Sequence, residues 1–263
     1  MKYLIANWKM NLGIKESVEL SKKIADEMKS SFAEASAYSK ASADKSEDKE
    51  NISIVLCPSF TALAEVSNTI KKSSLKLGAQ DIFWVNKGAF TGEISAQELK
   101  EAGAEFVIIG HSERRHIVGE TDEVIAKKMK LAADFNLRPI LCVGETQQER
   151  ENEQAEKRVA EQLELGLQLL DNAQISKILI AYEPVWAIGT GKACSSDDAL
   201  SMLVLIRKSL QEKFSENNIP ILYGGSTDDK NIASYIEAGY SGALVGGSSL
   251  KSLTFLKMQE AIR

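Results

Sequence analysis

Glu183 closes the apolar run KILIAY and is followed by Pro184, which holds the glutamate backbone in the β or polyproline region and limits where its carboxylate can point. A carboxylate in a dry cleft at a strand end can work as a general base; the plainer alternative is a glutamate paired with a surface lysine. His111, one of 2 histidines, opens the segment Ser112-Glu113-Arg114-Arg115-His116, which could start a short helix. A helix N-terminus disfavours imidazolium, so this ring can stay neutral and donate a hydrogen bond to a carbonyl oxygen. His116 reads instead as a buried, satisfied side chain. Lys9, at the end of the first apolar run, is either a cation that stabilises developing negative charge or an ordinary exposed lysine. Asn7 could orient Lys9 or a ligand, or cap a strand, and Trp8 between them reads as core.

Two glycine pairs, Gly224-Gly225 followed by Ser226 and Gly246-Gly247, leave backbone N–H groups open to a phosphate, with the Ser226 hydroxyl as a further donor. Tight turns that need positive φ would use the same residues. An anion needs such a local cradle here, because 32 Lys+Arg against 37 Asp+Glu give a net charge of −5 and no basic field for nucleic acid or an anionic membrane. From Pro184 the chain runs through Val185, Trp186, Ala187 and Ile188 and then Gly189, Thr190, Gly191 and Lys192. An apolar tip followed by glycines is expected of a lid that closes over a ligand and excludes water, with the Gly189 N–H reaching the anion; a loop packed against a rim is the alternative.

These residues fall at regular places. Apolar runs rich in Val, Ile and Leu begin at Tyr3, Ile52, Leu75, Glu105, Arg138, Lys177, Pro220 and Gly242, each too continuous for a strand with one wet face. Between them lie segments of helical period: Ile14, Val18, Ala25 and Met28 share one face, as do Ala199, Leu203, Ile206, Leu210 and Phe214. Ser95 with Glu98 predicts a capping box, and Ser195 with Asp197 and Asp198 predicts another helix start. Alternating strands and helices imply a parallel sheet with right-handed crossovers. Eight such units use up the chain, which predicts an α/β fold, a closed (β/α)8 barrel in a single domain over 1–263, with the polar strand ends converging on one mouth. A doubly wound open sheet is the alternative, weakened by the missing GxGxxG after the first run.

The stretch 30–51, rich in Ser, Ala, Lys and acids, breaks the pattern and reads as an insertion on the face opposite the mouth, either a solvated helical extension or a mobile loop. Cys57, Cys142 and Cys194, odd in number and without CxxC spacing, argue against disulfides or a zinc site. No export signal and no apolar window near the ~18 residues of a membrane span are visible, so a cytoplasmic protein is expected.

In this order, NWKM, IIGHSERR with GETDE, CVGE, AYEPVWAIGTGK, YGGS and LVGGSSL resemble the triosephosphate isomerase family over essentially the whole chain. The resemblance implies an aldose–ketose isomerase, without cofactor or metal, that interconverts dihydroxyacetone phosphate and glyceraldehyde 3-phosphate through an enediolate. It implies Glu183 as the base, His111 and Lys9 as electrophilic stabilisers, and Glu113 as the partner of Lys9, with a purely structural salt bridge as the equal alternative. Asn7, Lys9, Gly189, Ser226, Gly246 and Gly247 would hold the substrate. It also implies a homodimer: the third loop, from Ala79 to Ser95, carries Phe83, Trp84 and Phe90 and would reach a neighbouring subunit, with Gln80, Phe90 and Thr91 at the contact. Thr227 and Ser248 depart from the family pattern, standing where a small apolar residue is expected, and the lid exits through Lys192-Ala193-Cys194 in place of Lys-Thr-Ala. Two alternatives remain: a phosphate-binding barrel lyase or isomerase of another pathway, which would match the glycines but not need Asn7, Lys9, His111 and Glu183 together, and a barrel serving mainly as a binding module, favoured only by the insertion.

Overall fold

Successive side chains along a strand point to opposite faces, and a sheet covered on both faces needs apolar residues at every position. The computed structural model, which describes residues 1–39 (backbone alone from 30), 52–188, 194–216 and 218–263, closes eight parallel strands into a barrel in sequence order. They are β1 (Lys2–Asn7), β2 (Ile52–Cys57), β3 (Lys76–Ala79), β4 (Phe106–Ile109), β5 (Arg138–Val143), β6 (Leu179–Tyr182), β7 (Ile221–Tyr223) and β8 (Gly242–Val245). Each predicted run supplies one strand, and closure removes the open-sheet alternative. Tyr3, Ile5, Val55, Phe106, Ile108, Ile140, Leu179, Leu222 and Leu244 fill the barrel, while their neighbours Leu4, Ile54, Val107, Leu141, Ile180 and Ile221 face the helices. The seam sets Tyr3 of β1 level with Gly242 of β8, where a Cβ would overlap the Tyr3 backbone; only glycine lets the barrel close there.

The returning segments form α1 (Ile14–Ser39), α2 (Leu63–Ile70), α3 (Ala96–Glu101), α4 (Asp122–Asp134) and α5 (Gln147–Glu151). They continue as α6 (Ala155–Leu167), α7 (Asn172–Ile175), α8 (Ser196–Phe214), α9 (Ile232–Glu237) and α10 (Ser252–Ala261). The predicted capping box opens α3: Ser95 Oγ accepts the Glu98 N–H while the Glu98 carboxylate accepts the Ser95 N–H. Ser195 caps α8 in the same way by accepting the Asp198 N–H, and Ala199, Leu203, Ile206 and Leu210 bury its inner face.

α1 corrects the reading of its face. Ile14 is exposed and Val18 only half-buried, whereas Ser17, Ser21, Ile24, Ala25 and Met28 are buried. Serines suit this side because they are small, and the Ser21 hydroxyl is satisfied within the helix by the Val18 carbonyl at 2.9 Å. The helix runs on to Ser39, so the first part of the 30–51 stretch continues it; residues 40–51 lie outside the described residues. No helix among the described residues is long and apolar enough to cross a membrane.

Candidate active site

The alternation of side chains carries past the last rungs of the sheet. Ile5 and Ala181 point into the barrel, so Asn7 and Glu183, two residues on, point into its C-terminal mouth. The Glu183 N–H donates to the Val143 carbonyl at 2.7 Å and the Val185 N–H to the Glu145 carbonyl at 3.0 Å, which extends the β5–β6 pairing beyond both strands. Glu183 is 2% exposed. Its Oε2 accepts the Ser112 N–H at 2.9 Å, while Oε1 lies 3.1 Å from His111 Nε2 without hydrogen-bond geometry and has no donor among the described residues. A buried carboxylate oxygen left unpaired is costly, and here it faces the mouth with its lone pairs free.

His111 accepts the Glu113 N–H on Nδ1 at 3.2 Å, which puts the ring proton on Nε2, the nitrogen beside Glu183. The helical turn predicted after it is present, starting at Ser112 and widening into a π-turn over Arg114–Val118. That turn corrects His116, which is exposed rather than buried because the wide turn carries His116, Ile117 and Val118 outward.

Lys9 has a left-handed backbone, φ 53°, which costs a residue with a Cβ about 1–2 kcal/mol. Hydrogen bonds hold it there: its N–H donates to Asn7 Oδ1 at 3.1 Å, and its carbonyl accepts from Gln80 Nε2 at 2.9 Å. Gln80 Nε2 also donates to the Cys57 carbonyl at 2.9 Å, so a residue expected at a subunit contact has a task inside its own chain that the sequence did not reveal. So turned, Lys9 places Nζ 2.6 Å from Glu113 Oε1 and lays its stem beside Gly246.

Opposite Lys9 the β7 and β8 loops meet. No hydrogen bond among the described residues uses the N–H of Gly225, Ser226, Gly246 or Gly247, so four donors face an anion-sized space. Gly224 is a correction: its N–H is taken by the Tyr182 carbonyl at 2.7 Å, the last rung between β6 and β7, and glycine is needed because a Cβ would lie 2.7 Å from Glu183 Cγ. The Ser226 hydroxyl, expected as a further donor to an anion, is a correction: it donates to the Ala187 carbonyl at 2.6 Å, which leaves the Ser226 N–H for that role. Ser248 Oγ donates to the Thr227 carbonyl at 2.6 Å, so the departure from the family pattern at Ser248 forms a tie between the two loops. Together with Asn7, Lys9, His111, Glu183 and Ile188 these loops enclose a cavity of about 240 Å³.

The segment expected to form a lid begins with Pro184 and a 3-10 turn at Val185–Ala187. Trp186 Nε1 donates to Glu145 Oε1 at 2.8 Å, and the Arg150 guanidinium stands 4.9 Å over its ring. Gly189, Thr190, Gly191 and Lys192 lie outside the described residues. In the third loop Phe83 is buried, 4.0 Å from the Trp84 ring and 4.7 Å from the Phe90 ring, and Trp84 is half-buried, so of the three aromatics expected at a surface only Phe90, at 42%, is exposed. Phe83 forms the small core that shapes the loop. Thr91 beside Phe90 is exposed too.

The family model described as triosephosphate isomerase matches residues 27–262. The chain belongs to the triosephosphate isomerase family. It is 42% identical over 257 residues to the triosephosphate isomerase of Alkaliphilus metalliredigens, covering 96% of each chain. To that of Dictyoglomus thermophilum it is 42% identical over 258 residues, 97% of this chain and 96% of the relative. To that of Moorella thermoacetica it is 46% identical over 205 residues, 77% and 82%. Among the described residues no group of three or more His, Cys, Asp or Glu side chains could hold a metal ion. Gln80 is expected from the sequence only at a subunit contact, and its bonds to the Lys9 and Cys57 carbonyls are not foreseen there; Gln162, bonded to Gly144, is not singled out at all, although it carries a signal: it falls on the apolar stripe of α6 between Val159 and Leu163.

Proposed function

We propose that Glu183 is the base of the triosephosphate isomerase reaction, with His111 and Lys9 as the electrophiles and the substrate phosphate on the N–H groups of Ser226, Gly246, Gly247 and Gly189. As a member of the family the chain interconverts dihydroxyacetone phosphate and glyceraldehyde 3-phosphate, a step of glycolysis and gluconeogenesis. The observation that carries the assignment is the buried Oε1 of Glu183, without a donor among the described residues and 3.1 Å from His111 Nε2, in a cavity also lined by Gly225, Ser226, Gly246 and Gly247, whose N–H groups have no acceptor among the described residues.

The chemistry follows from this geometry. The carboxylate takes the proton from the carbon next to the substrate carbonyl, and the electron pair moves to the carbonyl oxygen. The Nε2–H of His111 and the ammonium of Lys9 stabilise that oxygen as an enediolate. Glu183, now protonated, returns the proton to the neighbouring carbon, while His111 Nε2 gives its proton to the enediolate oxygen and takes the proton of the adjacent hydroxyl, whose oxygen becomes the new carbonyl. Asn7 and Glu113 keep Lys9 in place from either side. Pro184 to Lys192 would close over the enediolate, whose phosphate is prone to elimination in water.

A carboxylic proton exchanges with solvent. Turnover of glyceraldehyde 3-phosphate in D₂O, with chelator and no added cofactor, is therefore expected to give dihydroxyacetone phosphate deuterated at the reprotonated carbon, read by mass spectrometry. Product still free of deuterium after both triose phosphates have interconverted over many turnovers would mean a hydride shift and would remove Glu183 from its role.

We also infer a homodimer made through the third loop, with Phe90 and Thr91 of one copy seated against another. The support is a groove after β1 and β2, lined by Met10 to Gly13 and Ser59 to Thr61, in which Met10 is 96% exposed and Phe60 is also open. Phe90→Asp is expected to turn a dimer into a monomer at micromolar concentration in sedimentation velocity; a monomeric parent chain would sink the inference. Three buried free thiols fit a cytoplasmic site of action, and 30–51 is taken as an insertion in a single domain.

A further inference from the structure

Gln162 is fully buried on the side of α6 that faces the sheet. Its amide makes a two-point contact with one residue: the Gly144 N–H donates to Gln162 Oε1 at 2.7 Å, and Gln162 Nε2 donates to the Gly144 carbonyl at 3.1 Å. A single side chain thus satisfies both backbone groups of Gly144, as a neighbouring strand would. Gly144 has no room for a side chain of its own, because a Cβ there would overlap the carbonyl oxygen of Glu183. On either side of it, the Val143 carbonyl accepts the Glu183 N–H and the Glu145 carbonyl accepts the Val185 N–H. The Glu145 carboxylate also accepts from Trp186 Nε1 and Tyr182 OH. Residues 143–145 are therefore the template on which Glu183 and the entry to the lid are laid, and Gln162 grips the middle of that template.

We propose that Gln162 is a positioning residue for Glu183: by holding Gly144 against the Glu183 backbone it sets the distance from the carboxylate to His111 Nε2. The proposal rests on Glu183 being the base. Without the amide, the Gly144 carbonyl and N–H are buried and unpaired, and the peptide is driven to rotate toward other partners. Gly144 is packed directly on Glu183, so that rotation moves the base. A misplacement of about 1 Å at reacting groups costs on the order of 10²-fold in rate.

Gln162→Met keeps the volume and removes both hydrogen bonds. It is expected to lower kcat by about 10–10²-fold, with KM within about threefold, because the phosphate cradle lies on other loops. Gln162→Glu separates positioning from stability. An ionised carboxylate can accept the Gly144 N–H but repels the Gly144 carbonyl, whereas the protonated acid both accepts and donates. Its kcat deficit relative to the parent chain is therefore expected to shrink as pH falls from 8 toward 5.5. Leu167→Ala, on the same buried stripe without a bond to Gly144, serves as the control for simple destabilisation.

The proposal is overturned if Gln162→Met retains kcat within threefold, if Leu167→Ala lowers kcat per folded subunit as much, or if the Gln162→Glu deficit is independent of pH. Should Gln162→Met fail to fold, the pH profile of Gln162→Glu decides. Glu183→Gln run in parallel keeps the two readings apart: if it is inactive while Gln162→Met is fully active, only the positioning role falls, and if Glu183→Gln is active both fall.

Discussion

Replacing Glu183 by Gln lowers kcat by at least about 10²–10⁴-fold, the usual consequence of losing a general base, while KM changes far less. The substitution is close to isosteric. The carboxamide oxygen can keep the Ser112 N–H bond that Oε2 makes at 2.9 Å. The amide nitrogen replaces Oε1, which has no donor to lose among the described residues, though the nitrogen comes to stand 3.1 Å from the proton-bearing His111 Nε2 and turns away from it. A buried negative charge disappears, so stability is expected to stay level or rise, and the thermal midpoint should not fall. Lost turnover with an unchanged melting curve is the expected pair of results in a coupled assay and a thermal scan. Turnover near that of the parent chain would refute the assignment, because an amide has no proton-accepting lone pair of comparable basicity. The same variant leaves Ser226, Gly246 and Gly247, the proposed phosphate site, untouched, so inorganic phosphate should inhibit the residual activity with the same constant as in the parent.

The barrel was legible in the sequence because its strands are buried on both faces, which turns each into a continuous apolar run that helical segments cannot imitate. The positions of Asn7 and Glu183 were legible too, since a period of two fixes which way a strand-end side chain points. What escaped depended on contacts between segments far apart in the chain. Gln80 and Gln162 are ordinary glutamines until the fold brings them within 3.1 Å of the backbone of Lys9 and Gly144, and only the place of Gln162 on an apolar stripe hinted at burial. Gly224 resembles Gly225 in sequence, yet the rung to Tyr182 takes its N–H. Phe83 resembles Phe90, yet one is the small core of the third loop and the other its outward tip. Local pattern gives residue chemistry and direction; which donor meets which acceptor is decided by tertiary packing.

Lys128 shows the same signal with a larger consequence, and Lys128→Met is expected to cost about 3–5 kcal/mol of stability at neutral pH, the range for breaking a buried ion pair from one side. The residue lies on the buried stripe of α4 with Ile125, Met129 and Ala132, and it is 1% exposed. Its Nζ is 2.7 Å from both Asp81 oxygens and 2.5 Å from Glu120 Oε1. Arg114 completes the cluster, 2.9 Å from Asp81 and 2.6 Å from Glu120. Lys128 and the half-buried Arg114 thus balance two buried carboxylates; an exposed pair would contribute only about 0–1 kcal/mol. The cluster fastens the third loop to the segment after β4. Asp81 follows Gln80 and Arg114 follows Glu113, the two residues that grip Lys9 from opposite sides.

Removal of Lys128 leaves Asp81 and Glu120 with Arg114 alone, and the cheapest relief is to protonate a carboxylate. Burial already pushes the Asp81 carboxyl up to about 6, with Lys128 and Arg114 pulling it down and Glu120 pushing it further up. An unfolded aspartate titrates near ~3.9, so the folded chain holds this proton over a range in which the unfolded chain has released it. The contribution of Asp81 to stability is therefore present at acid pH and lost as pH rises through about 6. In Lys128→Met the carboxyl moves higher still, so the deficit against the parent chain should grow between pH 5 and pH 8. Urea unfolding at the two pH values tests this directly. A deficit below about 1 kcal/mol at pH 8, or one larger at pH 5, would mean that the ions of this cluster are no better held than a surface pair, and that packing around α4 rather than charge joins the two loops beneath Lys9.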